Sequence, residues 1–169
     1  MQNSDSIKNG IRFALLILLQ VLLCNQINFL GYINPFIYPL FILIYPLTGN
    51  KALLIFLSFL LGLTIDIFGD SGGIHAAACV FIAWIRPIAL KYSFGVSYEY
   101  NTIDIAKANI SRQITYIAAM VLFHHLILFS LEIFSVAHIL LILKYTLFTS
   151  IFSGIMIHGS ILLFSRTAQ

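Results

Sequence analysis

A short polar stretch interrupts the apolar sequence between two long hydrophobic runs, and its residue types could do chemistry. It contains two carboxylates, Asp66 and Asp70, the glycines Gly72 and Gly73, and the imidazole of His75. A carboxylate at the margin of a membrane segment requires water, a polar partner or a functional role, because hydrocarbon solvates charge poorly. These residues are therefore the first place to look for a specific function.

The spacing of these residues indicates how they could act together. Gly62 and Asp66 are four positions apart, so they share one face of a helix, and glycine there permits close approach of a neighbouring helix. Gly72 and Gly73 are typical of a turn, because glycine adopts positive φ readily. The next helix then begins near His75 with free backbone N–H groups that can face a carboxylate. Two interpretations stay open: Asp66 caps this turn or contacts headgroup water, or it forms a structural clasp or a polar pocket that opens outward.

The same residue types do not form a recognisable metal site. His75 and Cys79 share a helix face, but zinc sites use four Cys/His ligands at close spacing, or three ligands with an open position. The sequence contains no HExxH motif and no phosphate-binding loop with its Lys-Ser/Thr. We therefore expect no metal, no cofactor and no enzymatic activity.

Other polar groups lie within the apolar segments. Lys144 lies five residues into the last of them, and it has two interpretations. Its ammonium group snorkels to the headgroups, or it pairs across the bundle with Asp66 or Glu132. Three histidines are expected to form hydrogen bonds between helices: His124, His125 and His158.

The composition assigns the chain to a membrane. Of 169 residues, 60% are apolar and 9% are charged, and the mean hydropathy is +1.00, whereas soluble domains carry about 25% charged residues. A soluble fold of this length could not bury so much apolar surface. We expect one membrane domain over residues 1–169, with Cys24 and Cys79 as buried packing residues. The basic residues are scattered rather than clustered, which argues against nucleic-acid binding.

Six apolar segments are predicted to cross the membrane as helices: 11–30, 34–47, 51–68, 74–90, 113–131 and 139–164. The second is short and contains Pro35, Pro39 and Pro46, so a re-entrant course is the alternative. If it crosses, eight Lys and Arg residues fall on one side of the membrane: Lys8, Arg12, Lys51, Arg86, Lys91, Lys107, Arg112 and Arg166. The positive-inside rule then places both termini in the cytoplasm and the turn 66–73 at the outer face.

The loop 91–112 is predicted to be cytoplasmic. It contains Tyr92, Tyr98 and Tyr100 and then a weakly amphipathic stretch. Aromatic and basic residues at a membrane margin anchor the interface. A docking surface for a cytoplasmic partner is the second interpretation of this loop.

The polar stretch resembles the rod shape-determining protein MreD family of bacteria. The pattern G-x-x-x-D corresponds here to Gly62 and Asp66, and the pattern Gly-hydrophobic-His-Ala corresponds to residues 73–76. Length, predicted topology and the short second span agree with that family. The resemblance implies a multi-pass protein of the bacterial cytoplasmic (inner) membrane, with a bundle similar to the six-helix substrate-binding subunits of energy-coupling-factor transporters.

The resemblance also implies a function and partners. Proteins of this family act in cell elongation and cell-shape control as non-enzymatic components of lateral peptidoglycan synthesis. The implied partner is the single-span protein MreC, together with the polymerase RodA, a class B penicillin-binding transpeptidase, MreB filaments and membrane lipids. The fold similarity supplies the alternative, a substrate-capture subunit of a vitamin transporter.

Overall fold

The structure is a computed structural model that describes residues 2–27, 29, 33–95 and 104–166. The described part is helical and contains no β-strand beyond an isolated bridge between Phe29 and Ile33. Its helices are α1 (Gln2–Leu22), α2 (Leu40–Ile44), α3 (Lys51–Gly69), α4 (Ile74–Phe94), α5 (Ile110–Ile133) and α6 (Ile139–Arg166), with 3-10 turns at Cys24–Gln26 and Val136–His138. Part of the loop predicted to be cytoplasmic, including Tyr98 and Tyr100, lies outside the described residues.

Five stretches of the described chain are long and apolar enough to cross a membrane: Ile7–Gln26, Lys51–Gly69, Ile74–Phe94, Ile110–Ile133 and Val136–Leu163. Large apolar side chains are exposed along their outer faces, for example Leu140 on α6 and Ile88 on α4. Such faces are unfavourable in water and favourable in lipid. The all-helical, multi-pass membrane character expected from the composition is confirmed at this level.

Side-chain caps and left-handed residues fix the ends of the long helices. The Asn50 side chain accepts hydrogen bonds from the backbone of Ala52 at 2.9 Å and of Leu53 at 3.3 Å, which starts α3. Asn109 does the same for α5 through the backbone N–H of Ser111. A left-handed residue, Phe134, ends α5. Consecutive helices from α3 to α6 pack against one another, and α1 packs against α3 and α2.

The predicted second span, 34–47, is the most deeply buried of the described segments, and α-helix covers Leu40–Ile44 of it. Its residues before α2 are irregular, yet the backbone is hydrogen-bonded by side chains from elsewhere. The backbone N–H of Phe36 donates to Ser153 Oγ at 2.8 Å, and that of Ile37 donates to Gln20 Oε1 at 2.8 Å. Non-helical backbone at membrane depth is stable only when protein groups satisfy it in this way.

Arg86 forms hydrogen bonds to the backbone at the C-terminal end of the segment 34–47. It lies within α4 and is 5% exposed, although the sequence pattern suggested a cation at the membrane margin. Its guanidinium donates to the carbonyl oxygens of Leu43 and Tyr45, and its Nε donates to the Tyr116 hydroxyl. The Tyr116 hydroxyl in turn donates to the Leu43 carbonyl at 3.1 Å. The carbonyls at the end of α2, which has no continuing helix to bond them, are thereby satisfied.

Replacing Arg86 with Met should therefore destabilise the bundle, because the Tyr45 carbonyl would be buried without a donor. An unsatisfied buried polar group costs about 1–3 kcal/mol, so we expect a clear fall in the thermal unfolding midpoint of the detergent-solubilised protein. Arg112→Met, at an exposed position of α5, is the matched control. Equal midpoints for the two variants would contradict the role assigned to Arg86.

Candidate functional site

The Asp66 carboxylate connects the last turn of α3 to the first turn of α4. It is 4% exposed. Its Oδ1 accepts hydrogen bonds from the Ser71 hydroxyl at 2.6 Å and from the His75 backbone N–H at 3.1 Å, and its Oδ2 accepts one from the Ala76 backbone N–H at 2.8 Å. Gly73, at the N-cap position of α4, has no side chain that could accept a hydrogen bond from the first N–H groups of the helix. Asp66 therefore caps α4 from the neighbouring helix, where the positive end of the helix dipole favours a negative charge.

The turn between the two helices has a backbone that suits its residues. Asp70 has φ of 49°, Gly72 has φ of 67° and Gly73 has φ of 97°, so three of four consecutive residues are left-handed. Glycine adopts this region without the steric penalty of a side chain, and Asp tolerates it better than most residues. The chain reverses here within four residues, which places the start of α4 beside the end of α3.

Gly62 allows α3 and α4 to approach closely one turn below Asp66. A Cβ atom built on Gly62 would lie 2.5 Å from the backbone nitrogen of Ala76 and from the carbonyl oxygen of His75. Real Cβ atoms do not approach backbone so closely, so any side chain here would separate the helices. The G-x-x-x-D pattern therefore places a close contact and a cap on one face of α3.

His75 leads from this turn into a buried hydrogen-bond network. Its Nδ1 lies 2.7 Å from the Tyr38 hydroxyl, which also lies 2.9 Å from Nε2 of His124. His125, beside His124 on α5, is 3.0 Å through its Nδ1 from the Ser150 hydroxyl on α6. His125 thus forms the expected interhelical hydrogen bond, between α5 and α6, whereas His124 bonds to the irregular segment before α2. For His158, by contrast, Nδ1 is buried without a hydrogen-bond partner in the described part of the chain.

The network includes residues that the sequence did not single out. Tyr38, which is fully buried, bonds two histidines from different helices, and Gln20 and Ser153 hold the irregular backbone near it. A buried tyrosine or glutamine in an apolar segment requires a polar partner. The sequence therefore indicates that such residues form hydrogen bonds inside the bundle. The identity of each partner depends on long-range packing and has no local signature.

A cavity of about 650 Å³ opens at the end of the bundle that carries the α3–α4 turn. Its apolar wall includes the aromatic rings of Phe36, Phe68, Phe129 and Tyr145. Several polar side chains also line it: Asn25, Gln26, Asn34, Ser71, His75 and Glu132. His75 of the predicted polar stretch and Glu132 therefore line one cavity, together with Ser71 of the turn.

The other predicted site residues lie around this centre. Asp70 and Lys144 are exposed, the latter on the surface of α6, and Glu132 is at the cavity. The Asp66 carboxylate is held by Ser71 and by two backbone N–H groups. Among the described residues, no group of three or more His, Cys, Asp or Glu side chains is placed to hold a metal ion.

The chemistry available to this site is charge–dipole stabilisation, hydrogen bonding and recognition of a small polar group in the cavity. Comparison of the chain with known protein families, curated proteins and solved structures finds no match.

Substitution of Gly62 tests the close contact between α3 and α4. We expect Gly62→Ala to lower the thermal unfolding midpoint, because overpacking a close contact costs about 1–3 kcal/mol. Gly69→Ala, on the same helix, is the control, since a Cβ there meets only the Ser71 hydroxyl at 3.5 Å. If Gly62→Ala were as stable as Gly69→Ala, the close contact would not determine the helix spacing.

Proposed function

We propose that this protein is a non-enzymatic membrane scaffold of the bacterial cell-elongation machinery, similar to the MreD family. One observation carries the proposal: the positions of the family pattern, Gly62, Asp66, Gly73 and His75, form one structural unit. Gly62 sets the helix contact, Asp66 caps α4, Gly73 completes the turn, and His75 continues into the buried network. This convergence supports the interpretation of the pattern as one structural motif.

A scaffold needs a fixed shape and surfaces for other proteins, and two features support such a role. The network of Asp66, His75, Tyr38 and His124 ties the irregular segment to α3, α4 and α5. The helices α1 and α6 leave much of their apolar surface uncovered, and this surface contacts lipid or the membrane segments of partners. We propose MreC as the direct partner, with RodA, a class B penicillin-binding transpeptidase and MreB filaments in the same assembly.

The proposal includes six crossings of the bacterial inner membrane, with both termini in the cytoplasm. Five crossings are the long helices. For the sixth, Asn34 lines the same cavity as Ser71 and Glu132, whereas the Tyr45 carbonyl bonds to Arg86, which lies about 18 Å along α4 from its start. This course supports a crossing over 34–47 and a bundle resembling that of energy-coupling-factor substrate-binding subunits.

The cavity favours a second candidate function, a substrate-capture subunit of a vitamin transporter. A concave site with a few polar groups on an apolar wall is the usual form of a small-molecule site. This candidate requires a vitamin that stays bound through purification and appears in the mass spectrum of the protein. Absence of any such ligand, with no thermal shift against a panel of vitamins, would exclude it.

The scaffold function is tested in the source bacterium. Depletion of the protein should turn rods into round cells, and the tagged protein should recover MreC on purification. We expect Asp66→Ala to fail in restoring rods, because α4 would lose its cap, whereas Asp70→Asn, an exposed carboxylate of the same turn, should restore them. Cell shape is measured by microscopy at matched protein levels.

Rods that persist after depletion, with no MreC recovered, would contradict the scaffold function. Full restoration of rods by Asp66→Ala would instead show that the helix cap is dispensable for it.

The proposed topology predicts the sidedness of two exposed positions. Cysteine placed at Asp70 should react with a membrane-impermeant maleimide in intact spheroplasts, and cysteine placed at Lys107 should react only after lysis. The native Cys24 and Cys79 are buried, so they should contribute little background. The reverse pattern, with position 107 labelled in intact spheroplasts and position 70 labelled only after lysis, would contradict six crossings with both termini in the cytoplasm.

A further inference from the structure

The cavity beside the α3–α4 turn contains a hydrogen-bonding atom that the fold itself leaves unused. His75 is 8% exposed and lines the cavity. Its Nδ1 is bonded to Tyr38, while its other ring nitrogen, Nε2, has no hydrogen-bond partner in the described part of the chain. A nearly buried imidazole edge that faces an open cavity is a ready contact for a ligand.

The Tyr38 hydroxyl determines whether the Nε2 atom of His75 carries a proton. It lies between His75 Nδ1 and His124 Nε2, and it has one proton to donate. If Tyr38 donated to His124, the His124 Nδ1–H would be a buried donor, and that atom has no partner in the described structure. Buried N–H groups without partners are rarer than underused acceptors. Tyr38 therefore donates to His75, and His75 presents its Nε2–H to the cavity.

The one charged side chain among the described residues lining the cavity is a carboxylate. This side chain is Glu132, and Asp66 lies behind the Ser71 hydroxyl, which donates to the Asp66 carboxylate. None of the described lining residues is Lys or Arg. In a partly desolvated site such carboxylates attract a cation, and the aromatic rings of Phe129 and Tyr145 add a favourable surface for one.

We propose that this cavity binds a small molecule that carries an ammonium group and, close to it, an oxygen acceptor. Glu132 binds the ammonium group, and the His75 Nε2–H donates to the oxygen. An amino alcohol has this chemistry, and so does the ethanolamine headgroup of a phospholipid. The site requires neither the scaffold function nor a vitamin ligand, so its test is independent of the tests of those two functions.

The probe for this site is ethanolamine, added to the full chain in nanodiscs made only of phosphatidylglycerol. We expect saturable binding by calorimetry to the wild-type protein. Glu132→Gln should weaken it about tenfold, which corresponds to about 1.4 kcal/mol. Asp70→Asn removes a carboxylate from the same turn without touching the cavity, so it should bind like the wild type. Ethylamine, which lacks the oxygen, should bind more weakly than ethanolamine.

Nanodiscs that contain phosphatidylethanolamine distinguish the two sources of the ligand. If the lipid headgroup occupies the cavity, free ethanolamine should bind more weakly in these nanodiscs. If the ligand is a free solute, its affinity should be the same in both lipids. Each of these results supports the site.

Two results would overturn it: the absence of saturable ethanolamine binding in phosphatidylglycerol, or equal affinities for Glu132→Gln and the wild type. Glu132→Gln is expected to keep the unfolding midpoint of the unliganded wild type, because Glu132 makes no hydrogen bond on which the described fold depends. Loss of binding can thus be separated from loss of folding.

Discussion

The hydrogen bonds of the Asp66 carboxylate are the constraint on which the rest of this structure depends. In a bundle with so little polar material, the free N–H groups at the start of α4 would otherwise face hydrocarbon or a few headgroup waters. Asp66 satisfies two of them and also holds the Ser71 hydroxyl of the turn. The carboxylate gains the helix dipole as its electrostatic partner, and α3 and α4 gain a fixed relative position.

That fixed position determines where His75 lies, and His75 in turn locates the irregular segment before α2. Tyr38 bonds both His75 and His124, so the segment is held between α4 and α5 at the level of the turn. Arg86 holds its other end through the carbonyls that follow α2. Irregular backbone inside a membrane protein is stable because such distant side chains complete its hydrogen bonds.

The same arrangement leaves two kinds of surface in the described part of the protein. Its helices are held together by buried polar contacts, and their outer apolar faces are exposed to lipid or to the membrane segments of other proteins. The turn and the irregular segment do not fill the end of the bundle, and the cavity of about 650 Å³ remains between them. A scaffold and a small-molecule site are compatible in one bundle of this kind.

The sequence by itself determined the class of protein and the location of its site. Composition alone requires lipid as the solvent, the length of the apolar runs places the long helices, and the spacing of Gly62, Asp66 and Gly73 places the turn, because these signals are local. Only the tertiary structure decided what the polar residues contact. Tyr38, Gln20 and Arg86 acquire their roles from partners distant in the chain, and no local pattern encodes such pairings. The course of segment 34–47 was undecided for the same reason, since its backbone is stable only when the other helices surround it.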